Sequence, residues 1–178
     1  MLTPRLALLV TAVVAGPAAW ATTVELPAPD ELLAGTELIA RVRVVDQQVE
    51  LDERGRARTW STLQVVAAAA GAGVGERLLL YQPGDLQGDR GGLIGQARHR
   101  VGDEVVLFLA RARVFGTHAV VHRGLGYGVY DVRADGTLVE RHSDVARVVA
   151  AAGVLPARFP SFAALALEVR AAKLRVRP

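Results

Sequence analysis

Apolar and polar residues alternate with period two from Glu37 onward. Leu38, Ala40, Val42 and Val44 fall on one side, while Glu37, Arg41, Arg43 and Gln47 fall mostly on the other. This alternation predicts a strand with one buried and one wet face, as in an antiparallel sheet. The polar run at 52–56 supplies a turn. From Thr59 the alternation resumes, with Leu63, Val65 and Ala67 opposite Trp60, Thr62 and Gln64, so the two runs predict a long hairpin. A glycine-rich break at 70–76 precedes a third strand at 77–82. The run at 104–110 is apolar on both faces and predicts the most buried strand, and another follows at 117–122. Asp135-Gly136 marks a further hairpin.

The period changes near both ends. Pro29, Asp30 and Glu31 predict one short helical turn ahead of the first strand. Ser143 caps a run with Val145, Val148, Val149 and Ala152 on one face, closed by Gly153. Ser161 caps a second run with Phe162, Leu165 and Val169 on one face. The expected architecture is therefore mainly β, a small antiparallel OB-like barrel or curled sheet with C-terminal helices.

The N-terminal segment is of another kind. A positive start at Arg5, an apolar run over 6–15, a Gly16-Pro17 break and Ala19-Trp20-Ala21 have the order of a cleaved secretory signal. The run is far shorter than the ~20 residues of a spanning helix. Three parts are expected: a signal at 1–21, a β-barrel-like domain at 22–142 and a C-terminal helical extension at 143–178 packed on the same domain. The chain is expected to be exported, periplasmic or extracellular, with no membrane span after cleavage.

Composition narrows the chemistry. With 178 residues and no cysteine, the chain builds its core without disulfides, and thiol nucleophiles and Cys-based metal sites are excluded. The formal charge is +3, and the arginines are scattered singly among acids. Nucleic-acid binding calls for a clustered basic face, so no nucleic-acid partner is expected.

One stretch imitates a phosphate loop. Residues 122–132, HRGLGYGVYDV, carry glycines at 124, 126 and 128. A dinucleotide loop needs GxGxxG between a strand and a helix. Here the third glycine comes one residue early, and an aromatic, β-branched run follows. The spacing instead predicts a strand with Gly124, Gly126 and Gly128 on one bare face. No cofactor is expected.

The remaining candidates are sparse. His118 and His122 lie ~13 Å apart on an extended strand, too far to share one ion. Asp85, Asp89 and Asp103 edge the irregular loop at 83–103 but lack EF-hand spacing, so no metal is expected. No serine sits in GxSxG or SxxK, and no catalytic residue is identified. The long glycine-rich loop is the expected contact surface, since loops of that length are usually functional or disordered. Its candidates are Asp85, Asp89, Arg90, Arg98, His99 and Arg100, with His99 expected in a solvated loop.

The stretches DELLAGTELIARVRVVD, TWSTLQVV, HRVGDEVVLFLAR and GLGYGVYDVRADG together resemble a group of small exported bacterial proteins, over most of residues 30–136. The chain departs from that group at Arg41-Val42-Arg43, where a glycine is common, and at Gly126-Tyr127-Gly128. The resemblance implies an organisation and no catalytic residues. The strand order is also similar to the OB-type barrel of netrin-like domains and tissue inhibitors of metalloproteinases. Those inhibit through an N-terminal Cys-x-Cys that this chain lacks, so the likeness concerns fold alone. Two functions follow: a non-enzymatic exported binding or accessory domain for a protein or cell-envelope component, or a secreted hydrolase whose carboxylates and histidines meet only in the fold. Convergence of any two of His99, Asp85, Asp89, Asp103 and His122 within hydrogen-bond reach in a concave pocket would favour the hydrolase.

Overall fold

The computed structural model describes residues 28–86, 88, 92–93, 96–123, 128–141 and 159–176. The N-terminal segment and the helix expected after Ser143 lie outside them. The elements run α1 (Pro29–Gly35), β1 (Leu38–Leu51), β2 (Ala57–Ala70), β3 (Arg77–Pro83), β4 (Glu104–Val114), β5 (Thr117–His122), β6 (Tyr130–Val132), β7 (Leu138–Glu140) and α2 (Phe162–Arg175).

The strands form one sheet in the order β1-β2-β3-β5-β4-β6-β7, and an extra β1–β4 pairing joins the first five into a ring. The result is a mainly β, OB-like barrel carrying a small β6–β7 hairpin and a C-terminal helix. β1 closes the ring because it is long enough to serve two partners. Its first half pairs with both β2 and β4, while its second half pairs with β2 alone. Three register shifts along β1 and β2 bend and twist the pair, as curling a ribbon into a barrel requires. One seam departs from the antiparallel expectation. β3 and β5 run parallel and meet at a single bridge, Leu80 to Val120. Alternation along a strand reports which face is buried, not the direction of its neighbour.

The period-two residues fill the barrel: Leu38, Ala40, Val42 and Val44 from β1, with Leu63 and Val65 from β2, are almost fully buried. A second core lies outside the ring, where Ile39, Val106 and Phe108 meet Leu33, Leu165 and Val169 of the helices. β4 thus has core on both faces, which explains its unbroken apolar run. Ser161 caps α2 by accepting from the Ala164 amide at 3.3 Å. Lys173, the single lysine, donates to the Thr36 carbonyl at 2.9 Å and ties α2 to the end of α1.

The bare-strand reading of the glycine stretch does not hold where it can be followed. Gly124 and Gly126 lie outside the described residues, and Gly128 occupies a turn at φ +82°. A Cβ there would stand 3.2 Å from Phe108 and 3.3 Å from Leu32. Glycine is needed because the turn lies against the second core, and regular pairing resumes only at Tyr130.

Candidate functional site

The connection between β3 and β4 folds back into the end of the barrel. Thr59 Oγ1 donates to the Gly84 carbonyl at 2.7 Å and accepts from the Leu86 amide at 3.2 Å. Gln82 Nε2 donates to the Ala97 carbonyl at 2.8 Å, and Gln47 Nε2 donates to the His99 carbonyl at 3.2 Å. These side chains satisfy loop backbone that would otherwise be desolvated without partners. Leu86, Ala97 and His99 point inward and are buried. The described part of the loop therefore acts as a plug. Asp85 accepts from the Gly88 amide at 2.9 Å and stabilises a local turn. Arg98 and Arg100 are exposed, while Asp89 and Arg90 lie outside the described residues.

His99 corrects the expectation of a solvated loop residue, for it is only 1 % exposed. Its Nε2 lies 2.9 Å from Nε2 of His122, at the end of β5, and the two rings stack with centroids 5.0 Å apart. Arg141, just after β7, closes the cluster. Its Nη1 donates to Asp103 Oδ2 at 2.9 Å and to the Arg98 carbonyl at 2.5 Å, and lies 3.3 Å from His99 Nδ1. Its Nε donates to Asp131 Oδ1 at 2.9 Å, and Nη2 contacts the same oxygen.

A guanidinium beside Nδ1 of His99 favours a lone pair there, which puts the hydrogen on Nε2. His99 then donates to His122, which accepts through Nε2 and carries its own hydrogen on Nδ1. Only the neutral pair fits this arrangement. Burial pulls His99 well below the usual histidine pKa, and the charges of His122 and Arg141 pull it further. Burial likewise lowers His122 to about 4. Burial opposes the charge on Arg141, but Asp131 and Asp103 outweigh it and raise its pKa.

Two predicted candidates, His99 and His122, are thus brought together, and Asp103 joins them through Arg141. Asp85 stays apart. The meeting point is buried at His99, and Asp103 and Asp131 are both engaged by Arg141. The arrangement clamps the plug to β5, β6 and the segment after β7.

A different surface has the character of a binding site. Trp60 of β2 and Tyr81 of β3 are direct cross-strand partners, with ring centroids 5.1 Å apart and planes tilted by 56°. Phe115 stands edge-on to Tyr81 at 5.7 Å, and the Arg58 guanidinium covers the Phe115 ring at 4.9 Å. Glu50 Oε2 accepts from Trp60 Nε1 and Arg58 Nε, both at 3.1 Å, and so holds both side chains in place. The strip crosses the strands. Open hollows of about 290 Å³ and about 480 Å³ flank the Arg58–Phe115 pair.

Phe115 itself is anomalous. Val114 pairs with Thr117, leaving a two-residue turn of Phe115 and Gly116, both at positive φ. Such turns favour Asn-Gly, because a side chain at positive φ is strained. Phenylalanine takes that position at φ +49° and remains 65 % exposed. The strain is not offset by burial. Alternation along β2 puts Trp60 on the outer face, whereas periodicity distinguishes neither Tyr81 nor Phe115. The available signal was the aromatic in a Phe-Gly turn between two β runs.

Comparison with models of known protein families finds none that matches, and comparison with curated proteins finds no relative.

Proposed function

We propose that the chain is an exported, non-enzymatic binding module whose contact surface is the β2–β3 face around Trp60, Tyr81, Phe115 and Arg58. Its partner is a protein or component of the cell envelope. The observation that carries this reading is Phe115, an exposed aromatic held in left-handed backbone beside two further rings. Strained, exposed side chains cluster at binding sites because folding alone gives no reason to keep them. OB-type barrels also use the face of strands two and three with its flanking turns to bind chain-like ligands. Export rests on the N-terminal charge, apolar run and small-x-small order. The resemblance to small exported proteins points the same way.

This reading moves the contact surface away from the loop at 83–103, because Leu86, Ala97 and His99 are occupied in closing the barrel. Arg98 and Arg100 remain as an exposed rim. The hydrolase reading has one observation in its favour, the 2.9 Å approach of His99 and His122. Burial of His99 and engagement of Asp103 and Asp131 by Arg141 weigh against a substrate reaching that pair.

The test is affinity capture from the exported fraction of the host with three chains: native, Phe115→Ser with Tyr81→Ser, and Arg98→Ser with Arg100→Ser. A component held by the first and third and lost by the second supports the aromatic face. Loss with the arginine variant alone returns the site to the loop. Retention by all three removes both surfaces from consideration.

A further inference from the structure

Resting on the reading of the β2–β3 face as the contact surface, we infer that its ligand is a neutral glycan chain. The first argument is charge. The side chains lining the two hollows include Arg54, Arg56 and Arg58, matched by Glu50, Asp52 and Glu53. Two of these arginines are already paired, Arg56 with Asp52 at 2.7 Å and Arg58 with Glu50 at 3.1 Å. A polyanion draws its affinity from unpaired cations that release counterions, and this lining has no net charge to offer one.

The second argument is the pairing of rings with polar rims. A pyranose presents an apolar C–H face and an edge of hydroxyls that both donate and accept. Trp60, Tyr81 and Phe115 offer apolar ring surface in succession, each in contact with the next. Beside them stand Gln48, Glu50 and Thr117, an amide, a carboxylate and a hydroxyl. Glu50 Oε1 has no partner among the described residues, because Oε2 makes both of its hydrogen bonds.

The third argument is shape. Small-molecule pockets enclose most of their ligand, whereas these two hollows are open and share Phe115 in their lining. That suits a polymer passing across the face. A folded protein partner instead favours a central anchor buried in a deep pocket. The rings stand on the outer face of β2 and β3, whereas a peptide that adds a strand pairs with backbone along a sheet edge.

The experiment uses the full chain carrying Trp20→Phe, which leaves Trp60 as the sole tryptophan. Its emission is followed while laminarin, hydroxyethylcellulose, chitohexaose, heparin or a neutral proline-rich peptide is added. The expected result is a saturable change with at least one neutral glycan, insensitive to salt, with no response to heparin. Phe115→Asn, a residue the turn accepts, is expected to weaken that binding by about tenfold or more while the circular dichroism stays native. A salt-sensitive response to heparin alone, or a response to the peptide alone, overturns the glycan assignment. If Phe115→Asn abolishes that response, the contact surface itself stands. Glycan binding unchanged by Phe115→Asn overturns the surface and this inference together. Silence from every glycan overturns the inference, while the capture experiment decides the surface separately.

Discussion

Mild acid should loosen this protein through the histidine pair. In the unfolded chain a histidine takes up its proton near pH 6.5, whereas folded His122 resists down to about 4. Below pH 6.5 the unfolded state therefore binds more protons, and stability falls as pH falls. The loss stops growing near pH 4, where folded His122 also becomes charged. At 1.36 kcal/mol per unit the full difference is roughly 3 kcal/mol. His122 keeps a partly exposed edge, so solvent screening reduces this to about 2 kcal/mol. His99 acts in the same direction and is the more deeply buried of the two. The groups facing the pair are Arg141, Asp103 and Asp131, and the guanidinium adds to the cost of a second positive charge. Domains of this size have about 5–15 kcal/mol in total, so the change is readily measured. Urea denaturation at pH 7.5, 6.5, 5.5 and 5.0 should show a falling midpoint at constant slope. His122→Gln should remove a large part of that fall. Glu104, Asp52 and Asp135 have lowered pKa values and lose their stabilisation only at more acid pH, so they do not blur the window. A native midpoint that stays flat from pH 7.5 to 5.0, or falls equally in His122→Gln, would refute the neutral-pair account.

Other substitutions probe separate parts of the fold. Gly71→Ala places a Cβ 2.2 Å from the Glu37 carbonyl oxygen at φ +70° and should cost about 3 kcal/mol through clash and left-handed strain, read from the urea midpoint. Arg141→Met strands Asp131 and Asp103 beside the histidines. It should cost about 2 kcal/mol, less than a fully buried pair because Arg141 retains some exposure, and should raise hydrogen exchange in the plug. Ser161→Ala removes the α2 cap and should cost about 1 kcal/mol by thermal denaturation. Phe115→Asn exchanges turn strain for lost contacts with Tyr81 and Arg58. Stability should therefore stay within about 1 kcal/mol of native, in contrast to its effect on binding.

Strands were legible wherever one face is dry and the other wet. Leu38 to Val44 and Thr59 to Val65 announce themselves by alternation, and β4 by the absence of alternation. What stayed hidden depends on partners distant in sequence. His99 sits between Arg98 and Arg100 in a glycine-rich context that suggests solvent, yet the inward turn of its side chain depends on Gln47, His122 and Arg141, each more than twenty residues away. The parallel β3–β5 seam follows from ring closure by the long β1, which no local pattern encodes. Period two groups Gly128 with Gly124 and Gly126 and so predicts bare strand. Its positive φ reflects Phe108 and Leu32 pressing on the turn. The aromatic strip is assembled from three separate elements, so spacing along the chain could not reveal it.

The two places where titratable or aromatic groups gather are built to opposite ends. Around Arg141 the polar groups are partnered, one ring donates to the other, and the contacts hold a loop that plugs the barrel. Such a network holds a shape and gains nothing from a ligand. Around Phe115 the backbone is strained, the ring is exposed and Glu50 keeps an oxygen in reserve. There the contacts of Phe115 with Tyr81 and Arg58 do no more than offset the strain of its turn, and a bound chain lying across Trp60, Tyr81 and Phe115 would add contacts beyond them. If folding alone had shaped the β4–β5 turn, asparagine would serve as well at position 115. Phenylalanine in its place is the strongest reason to look for the ligand on this face.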